Sequence, residues 1–248
     1  MRWHCNMEKK LNKLEIILVS TLLVIHLAWY NTIGHLASMR GLNFGRYLYF
    51  PIENSFPIWL WLSPLYLFIW IYPLLILIWI LIVRGWNVVI FRRIYCSFLV
   101  MMIAAYLFWL AFPVKFTDRL SDTYLIHQGL FGYLTLYIYN NATAWNAFPS
   151  FHIAVTWFSF RIIQYYVKKY YWITWLICLA TIVTTLVIRI HYIADSVGGI
   201  LLAELIFQCV NKPIDHHNFF SKDSNKKWIS IYLIILVIAL GLWALVTH

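Results

Sequence analysis

Long apolar runs, broken by short polar stretches, set the pattern of this chain. The runs are continuous and not alternating, which predicts helices and excludes a transmembrane barrel. A membrane span needs roughly 20 mostly apolar residues. By that measure the spans are expected at about Glu15–Tyr30, Pro57–Val83, Ile94–Phe112, Pro149–Val167, Tyr171–Ile188, Ile193–Val210 and Trp228–Val246. The sixth carries two acids, Asp195 and Glu204. Between the third and fourth lies a long polar and aromatic stretch, Pro113–Phe148, whose moderately apolar part Gly129–Tyr139 reads as an interfacial helix. No repeat, low-complexity tract or composition shift marks a second domain, so residues 1–248 read as a single membrane domain.

Composition agrees with the pattern. The chain is 63% hydrophobic and 11% charged, with mean hydropathy +0.75; an ordinary soluble domain carries roughly 45–50% apolar and ~25% charged residues. Disorder, a disulfide-stapled secreted scaffold and nearly every soluble class are excluded. The expected fold is all-α, a polytopic transmembrane helical bundle of six to seven spans. The 14 Trp, 17 Tyr and 17 Phe suit a protein whose amphipathic rings settle at the membrane–water boundary. Cys5, Cys96, Cys178 and Cys209 lack metal-ligand spacing and read as small hydrophobes.

The net charge of +10 suggests nucleic acid in a soluble protein. Here basic residues are better explained by cytoplasmic loops and anionic headgroups, and no nucleic-acid partner is expected. The basic tail before the first apolar run resembles a signal peptide, but no small-residue cleavage site follows, which predicts a retained span. With the N-terminus in the cytoplasm, fourteen of the Lys and Arg residues fall inside. They are Arg2, Lys9, Lys10, Lys13, Arg84, Arg92, Arg93, Arg161, Lys168, Lys169, Lys212, Lys222, Lys226 and Lys227. Arg40, Arg46, Lys115, Arg119 and Arg189 fall outside. The expected protein is therefore an integral multi-pass membrane protein with a cytoplasmic N-terminus.

Three groups of polar residues gather on the non-cytoplasmic face. In the first, His191 lies four residues before Asp195; on a helix such a pair shares one face, and the carboxylate can hold the imidazole Nδ1–H and leave Nε2 free as a nucleophile. In the second, Phe148-Pro149-Ser150-Phe151-His152, proline suits the first turn of a helix, so backbone N–H groups around Ser150 would face an anion, with His152 in the same mouth. The third places Lys115 and Arg119 just beyond the third span, where they could grip phosphate oxygens. Taken singly, these read more readily as an interfacial His with a capping Asp, an ordinary Pro-Ser helix start, and headgroup snorkelling. Their common face and order change that balance.

In that order they resemble the type 2 phosphatidic acid phosphatase (PAP2) superfamily, whose fold is shared with vanadium haloperoxidases. The family's motifs run Lys-x6-Arg-Pro, Pro-Ser-Gly-His and Ser-Arg-x5-His-x3-Asp. The resemblance spans about Phe112–Gly199, including Gly198-Gly199 after the Asp, and the stretch from Phe50-Pro51-Ile52-Glu53 to Pro57 looks like the loop before span two in relatives. About 112–210 would then be a PAP2-type catalytic core. There are departures: the first motif is Lys-x3-Arg followed by Leu120, Phe151 stands where many members have Gly, and Thr184-Thr185 replace Ser-Arg. Such lapses are similar to the branch of inositol-phosphorylceramide and sphingomyelin synthases.

The resemblance implies a metal-free, cofactor-free, two-step displacement on a lipid phosphate through a phosphohistidine. His191 would be the nucleophile, Asp195 its orienting carboxylate and His152 the acid and base. Lys115, Arg119, Ser150 and Arg189 would bind phosphate. The leading expectation is a phosphohydrolase for phosphatidic acid, phosphatidylglycerol phosphate or a polyprenyl diphosphate. The alternative is a phosphotransferase moving a headgroup to a lipid alcohol. A third expectation, of another class, is a transporter in which Asp195 and Glu204 form a proton path.

Overall fold

The structure is a computed structural model that describes residues 13–44 and 48–211. The expected seventh span and the basic residues Arg2, Lys9, Lys10, Arg46, Lys212, Lys222, Lys226 and Lys227 lie outside these residues. Among the described residues eight α-helices follow one another: α1 (Lys13–Met39), α2 (Ser63–Val83), α3 (Val88–Ala111), α4 (Asp122–Ile126), α5 (Gly129–Asn141), α6 (Phe151–Tyr166), α7 (Tyr171–Val187) and α8 (Ile193–Ile206). Short 3₁₀ turns cover Pro51–Ser55 and Leu60–Leu62, and a π turn at Phe207–Asn211 continues α8. The all-α expectation holds, and every predicted span within the described residues contains a helix.

Three helical stretches are long and apolar enough to cross a membrane among the described residues: Leu60–Val83, Val88–Ala111 and Ile193–Val210. The expected count of six to seven spans is not shown. The predicted fourth and fifth spans are helices of 16 and 17 residues. At 1.5 Å per residue each is about 24–26 Å long, short of a ~30 Å hydrocarbon core.

The bundle is organised around α6, which packs against α8, α7 and α2. Its sequence explains that place. Twelve of its 16 residues are buried, including Ser159 and Thr156, whose hydroxyls satisfy themselves on backbone carbonyls one turn back. The main core joins Tyr30 of α1, Tyr72 and Ile76 of α2, Met101 and Trp109 of α3, Phe158 and Ile163 of α6, and Leu202 of α8. Gly199 lets α8 press on the start of α6: a Cβ there would lie 2.5 Å from the Ser150 carbonyl oxygen.

Two Arg–Glu pairs join helices of the bundle among the described residues, the first buried and the second partly exposed. Arg92 of α3 grips Glu15 of α1 with two hydrogen bonds of 2.8 and 3.1 Å. Glu204 meets Arg161 Nε at 2.9 Å, and accepts from Trp157 Nε1–H at 3.1 Å and from Gln208 at 2.6 Å. The arginines of this group, with Arg84 bonded to the Tyr166 carbonyl, stand at the ends of α2 and α6 and the start of α3. The opposite end of the bundle gathers the starts of α2, α6 and α8 and the ends of α3 and α7. That end holds His152, His191 and Asp195.

Candidate active site

Two helix starts build this end. Ser150 is the N-cap of α6, so Pro149 precedes the helix and does not sit in its first turn as expected. The Pro149 carbonyl is held by Trp109 Nε1–H at 3.2 Å. The Ser150 N–H is also not free for an anion: it donates to the Asp195 carbonyl at 3.0 Å and ties α6 to α8. The Ser150 hydroxyl, by contrast, is buried without a hydrogen-bond partner. His152 follows in the first turn, 4% exposed.

The second start is that of α8, with Tyr192 as N-cap and Asp195 three residues on. Asp195 Oδ2 accepts the Tyr192 N–H at 2.8 Å, a helix cap, and lies 3.3 Å from His191 Nδ1. The expected pairing of His191 with Asp195 is present, but its cause differs. His191 stands before the helix, and the cap turn swings its ring onto the carboxylate; the two do not share a helical face. The turn out of α7 sets that position, with Ile190 and His191 N–H donating to the Thr185 carbonyl at 3.0 and 3.3 Å. Thr185, where the family motif carries Arg, is thus a backbone anchor.

The two imidazoles converge. His191 Nε2 lies 3.4 Å from His152 Nδ1, and the ring centroids are 5.6 Å apart. On its far side His152 Nε2 meets the Tyr66 hydroxyl of α2 at 2.9 Å. Trp70 packs edge-on against the His152 ring at 4.9 Å. All four polar residues of this chain are buried: Asp195 and His191 at 0% and 4%, His152 at 4% and Tyr66 at 1% exposure.

The basic residues are arranged differently from one another. Arg119 is half-buried and donates to the carbonyls of Tyr139 and Ala142 at 2.9 and 2.8 Å, capping the end of α5. Its Nε has no partner, and burial holds its proton affinity below the usual value. Arg189 donates to the carbonyls of Glu53 and Phe56 at 2.8 and 3.1 Å, and lines with His191 a crevice of about 10 Å³. Lys115 is exposed, its ammonium 5.5 Å over the Trp145 ring.

Sequence reasoning missed three residues. Glu53, 3% exposed, accepts from the N–H of Ile193 at 2.5 Å and of Phe50 at 3.0 Å, and so clamps the loop before α2 to the start of α8. Burial pushes its carboxyl above the usual value, against the pull of those two N–H groups. Its loop stood out in the family resemblance, but no local signal disclosed the partner 140 residues away. Asn146, 4% exposed, hydrogen-bonds Tyr30 and leaves its Nδ2 donor unmet. Tyr66 sits in an apolar run and reads there as one more span aromatic.

Buried polar atoms without partners are rare in native proteins. Around this site they include donors on Arg119 and Asn146, the Ser150 hydroxyl and one acceptor, Asp195 Oδ1. Among the described residues no three His, Cys, Asp or Glu side chains are grouped to hold a metal ion. The arrangement is a carboxylate-backed imidazole facing a second imidazole, in a dry mouth supplied with donors. Such a pair can attack and release an electron-poor centre without a metal.

The PAP2 superfamily matches the chain over residues 19–209, and the protein belongs to that superfamily. Membership suggests phosphatase-type activity and, with the apolar helices, is consistent with a membrane phosphatase. No curated protein and no solved structure matches the chain.

Proposed function

We propose that the protein is a membrane lipid-phosphate phosphohydrolase that works through a phosphohistidine. The observation that carries this reading is the buried series Asp195, His191, His152, with contacts of 3.3 and 3.4 Å. In the first step His191 Nε2 attacks phosphorus. The N–P bond forms, the bond to the leaving oxygen breaks, and cationic His152 gives its Nδ1 proton to that oxygen. Asp195 offsets the positive charge of the phosphorylated ring. In the second step water attacks the same phosphorus, His152 Nδ1 takes its proton, and the N–P bond breaks to release phosphate and neutral His191. One hard displacement becomes two easier ones.

In the free protein the His191 lone pair is covered by His152. The two rings part to admit the phosphoryl group. Arg119 Nε, Asn146 Nδ2 and the Ser150 hydroxyl supply donors to its oxygens without breaking bonds the fold depends on. Arg189, beside His191, and the mobile charge of Lys115 add positive potential at the mouth.

The site is assigned to the non-cytoplasmic face, with the N-terminus in the cytoplasm. Arg84, Arg92, Arg93 and Arg161 at the opposite end of the bundle favour that end as the cytoplasmic one. A lipid phosphate then meets the site at headgroup level with its tails in hydrocarbon.

A second reading, transfer to an alcohol, is favoured by one observation. A cavity of about 280 Å³ lined by Asn43, Tyr49, Asn54, Thr117, Asp118 and Tyr192 adjoins the crevice at His191. It offers hydroxyl-binding groups to an acceptor in the second step. The test of both is product identity. Purified protein in detergent is given a lipid-phosphate panel, with and without alcohol acceptors. Free phosphate, lost in His191→Ala, supports hydrolysis, as does acid-labile, base-stable phosphate on the protein. A new phospholipid without phosphate release would replace hydrolysis by transfer. Full function in His191→Ala would leave the transporter reading standing.

A further inference from the structure

We propose that Tyr66 of α2 is a positioning residue that engages His152 Nε2 in each protonation state of that ring and so keeps Nδ1 aimed at the leaving group and then at the water. The inference rests on the phosphohistidine reading above. Its starting point is the direction of the hydrogen bonds. An ionised carboxylate only accepts, so His191 Nδ1–H donates to Asp195 Oδ2 at 3.3 Å. His191 Nε2 is then a lone pair. His152 Nδ1, 3.4 Å away, must therefore be the donor in that contact. In neutral His152 the remaining nitrogen, Nε2, is an acceptor, and the Tyr66 O–H at 2.9 Å is the group that donates to it.

A hydroxyl can reverse its role, which neither a backbone N–H nor a carboxylate can do. When His152 is cationic, Nε2–H donates to the Tyr66 oxygen instead. When His152 has given its Nδ1 proton to the leaving oxygen, Nε2–H stays on Tyr66 and Nδ1 is bare and aimed at the incoming water. Tyr66 thus serves both half-reactions with one rotation about its C–O bond. No other hydrogen-bond partner of His152 Nε2 is present among the described residues. Packing holds the geometry: the Tyr66 and His152 rings lie 4.7 Å apart, Trp70 stands at 89° to the imidazole, and Tyr66 itself is 1% exposed. Tyr66 does not touch the phosphoryl group, so it acts through His152 alone.

The test compares full-length wild type with Tyr66→Phe, which keeps the ring and deletes the hydroxyl. Two substrates are used: a long-chain alkyl phosphate, whose leaving oxygen needs a proton, and p-nitrophenyl phosphate, whose leaving group does not. Well-placed general acids contribute roughly 100- to 10,000-fold, so kcat/KM on the alkyl ester is expected to fall about 10- to 100-fold. On the aryl ester kcat/KM, which reports the phosphorylation step alone, is expected to fall less than about threefold, because that leaving group needs no acid. Equal losses of kcat/KM on both substrates would overturn the proposal in favour of plain packing. A second measurement does not depend on turnover. In ¹⁵N-His-labelled protein, wild-type His152 in its neutral form is expected to carry its proton on Nδ1, and Tyr66→Phe to shift that proton partly to Nε2. An unchanged tautomer refutes the role of Tyr66. Wild type that releases phosphate from neither ester, yet changes tautomer on substitution, refutes the phosphatase reading and leaves the hydrogen-bond assignment intact.

Discussion

Replacing Asp195 by Asn tests the charge behind the nucleophile. The substitution keeps shape and volume, and the amide oxygen can still cap α8 by accepting the Tyr192 N–H, now 2.8 Å from Oδ2. What disappears is one negative charge 3.3 Å from His191 Nδ1. In the phosphorylated intermediate the imidazole is cationic, so that charge acts on the reaction path more than on the resting enzyme. At an effective dielectric of 20, unit charges ~3.3 Å apart attract by about 5 kcal/mol, an upper bound for a pair whose charges are spread over several atoms. If about 3–4 kcal/mol of this is realised at the transition state, kcat falls roughly 100- to 1,000-fold, since each 1.36 kcal/mol is tenfold. Folding should change far less: an acid in the first turn of a helix contributes about 0.3–1 kcal/mol through the helix dipole. The assay is phosphate release from the best lipid of the panel, with thermal unfolding of the same detergent-solubilised protein. A kcat within about threefold of wild type, in a variant that melts normally, would show that the carboxylate is only a helix cap.

Three further outcomes follow from the same coordinates. Gly199→Ala puts a methyl group 2.5 Å from the Ser150 carbonyl; overpacking of this kind costs about 1–3 kcal/mol, so Tm and activity should both fall, and an unchanged Tm would mean that α6 and α8 are less tightly joined. Glu53, its carboxyl raised mainly by burial, binds its proton more tightly folded than unfolded, so its contribution to stability is full below the usual Glu value of about 4.3 and is lost as pH rises through the raised one. Tm of wild type relative to Glu53→Gln should therefore decline as pH rises above about 4; a rise would reverse the assigned direction. Arg119→Lys breaks the fork on the Tyr139 and Ala142 carbonyls and should lower Tm while raising KM for the phosphate ester, whereas wild-type KM would exclude Arg119 from substrate binding.

Much of the helix pattern is legible from hydropathy because hydrocarbon admits few backbone solutions. The stretch Gly129–Tyr139 is helical as expected, and α7 and α8 part close to the boundary between the fifth and sixth expected spans. Span number is less legible. α6 and α7 read as spans because they are apolar, yet α6 is apolar because it is the centre of the bundle. Hydropathy does not separate burial in protein from burial in lipid.

The sequence alone determined the chemical inventory: two histidines 39 residues apart, an acid four residues after the second, and basic residues nearby. It also carried the continuous apolar runs from which three helices long and apolar enough to cross a membrane form among the described residues. Only the tertiary structure decided how those groups are used. It spent the Ser150 N–H on Asp195, turned Arg119 and Arg189 onto carbonyl groups, and brought Glu53 and Tyr66 to the site from elements far away in the chain. The physical reason is that most buried donors and acceptors are paired in three dimensions, with partners set by the packing and not by nearness in the chain. Periodicity along a chain records which faces avoid water, but not which polar group meets which.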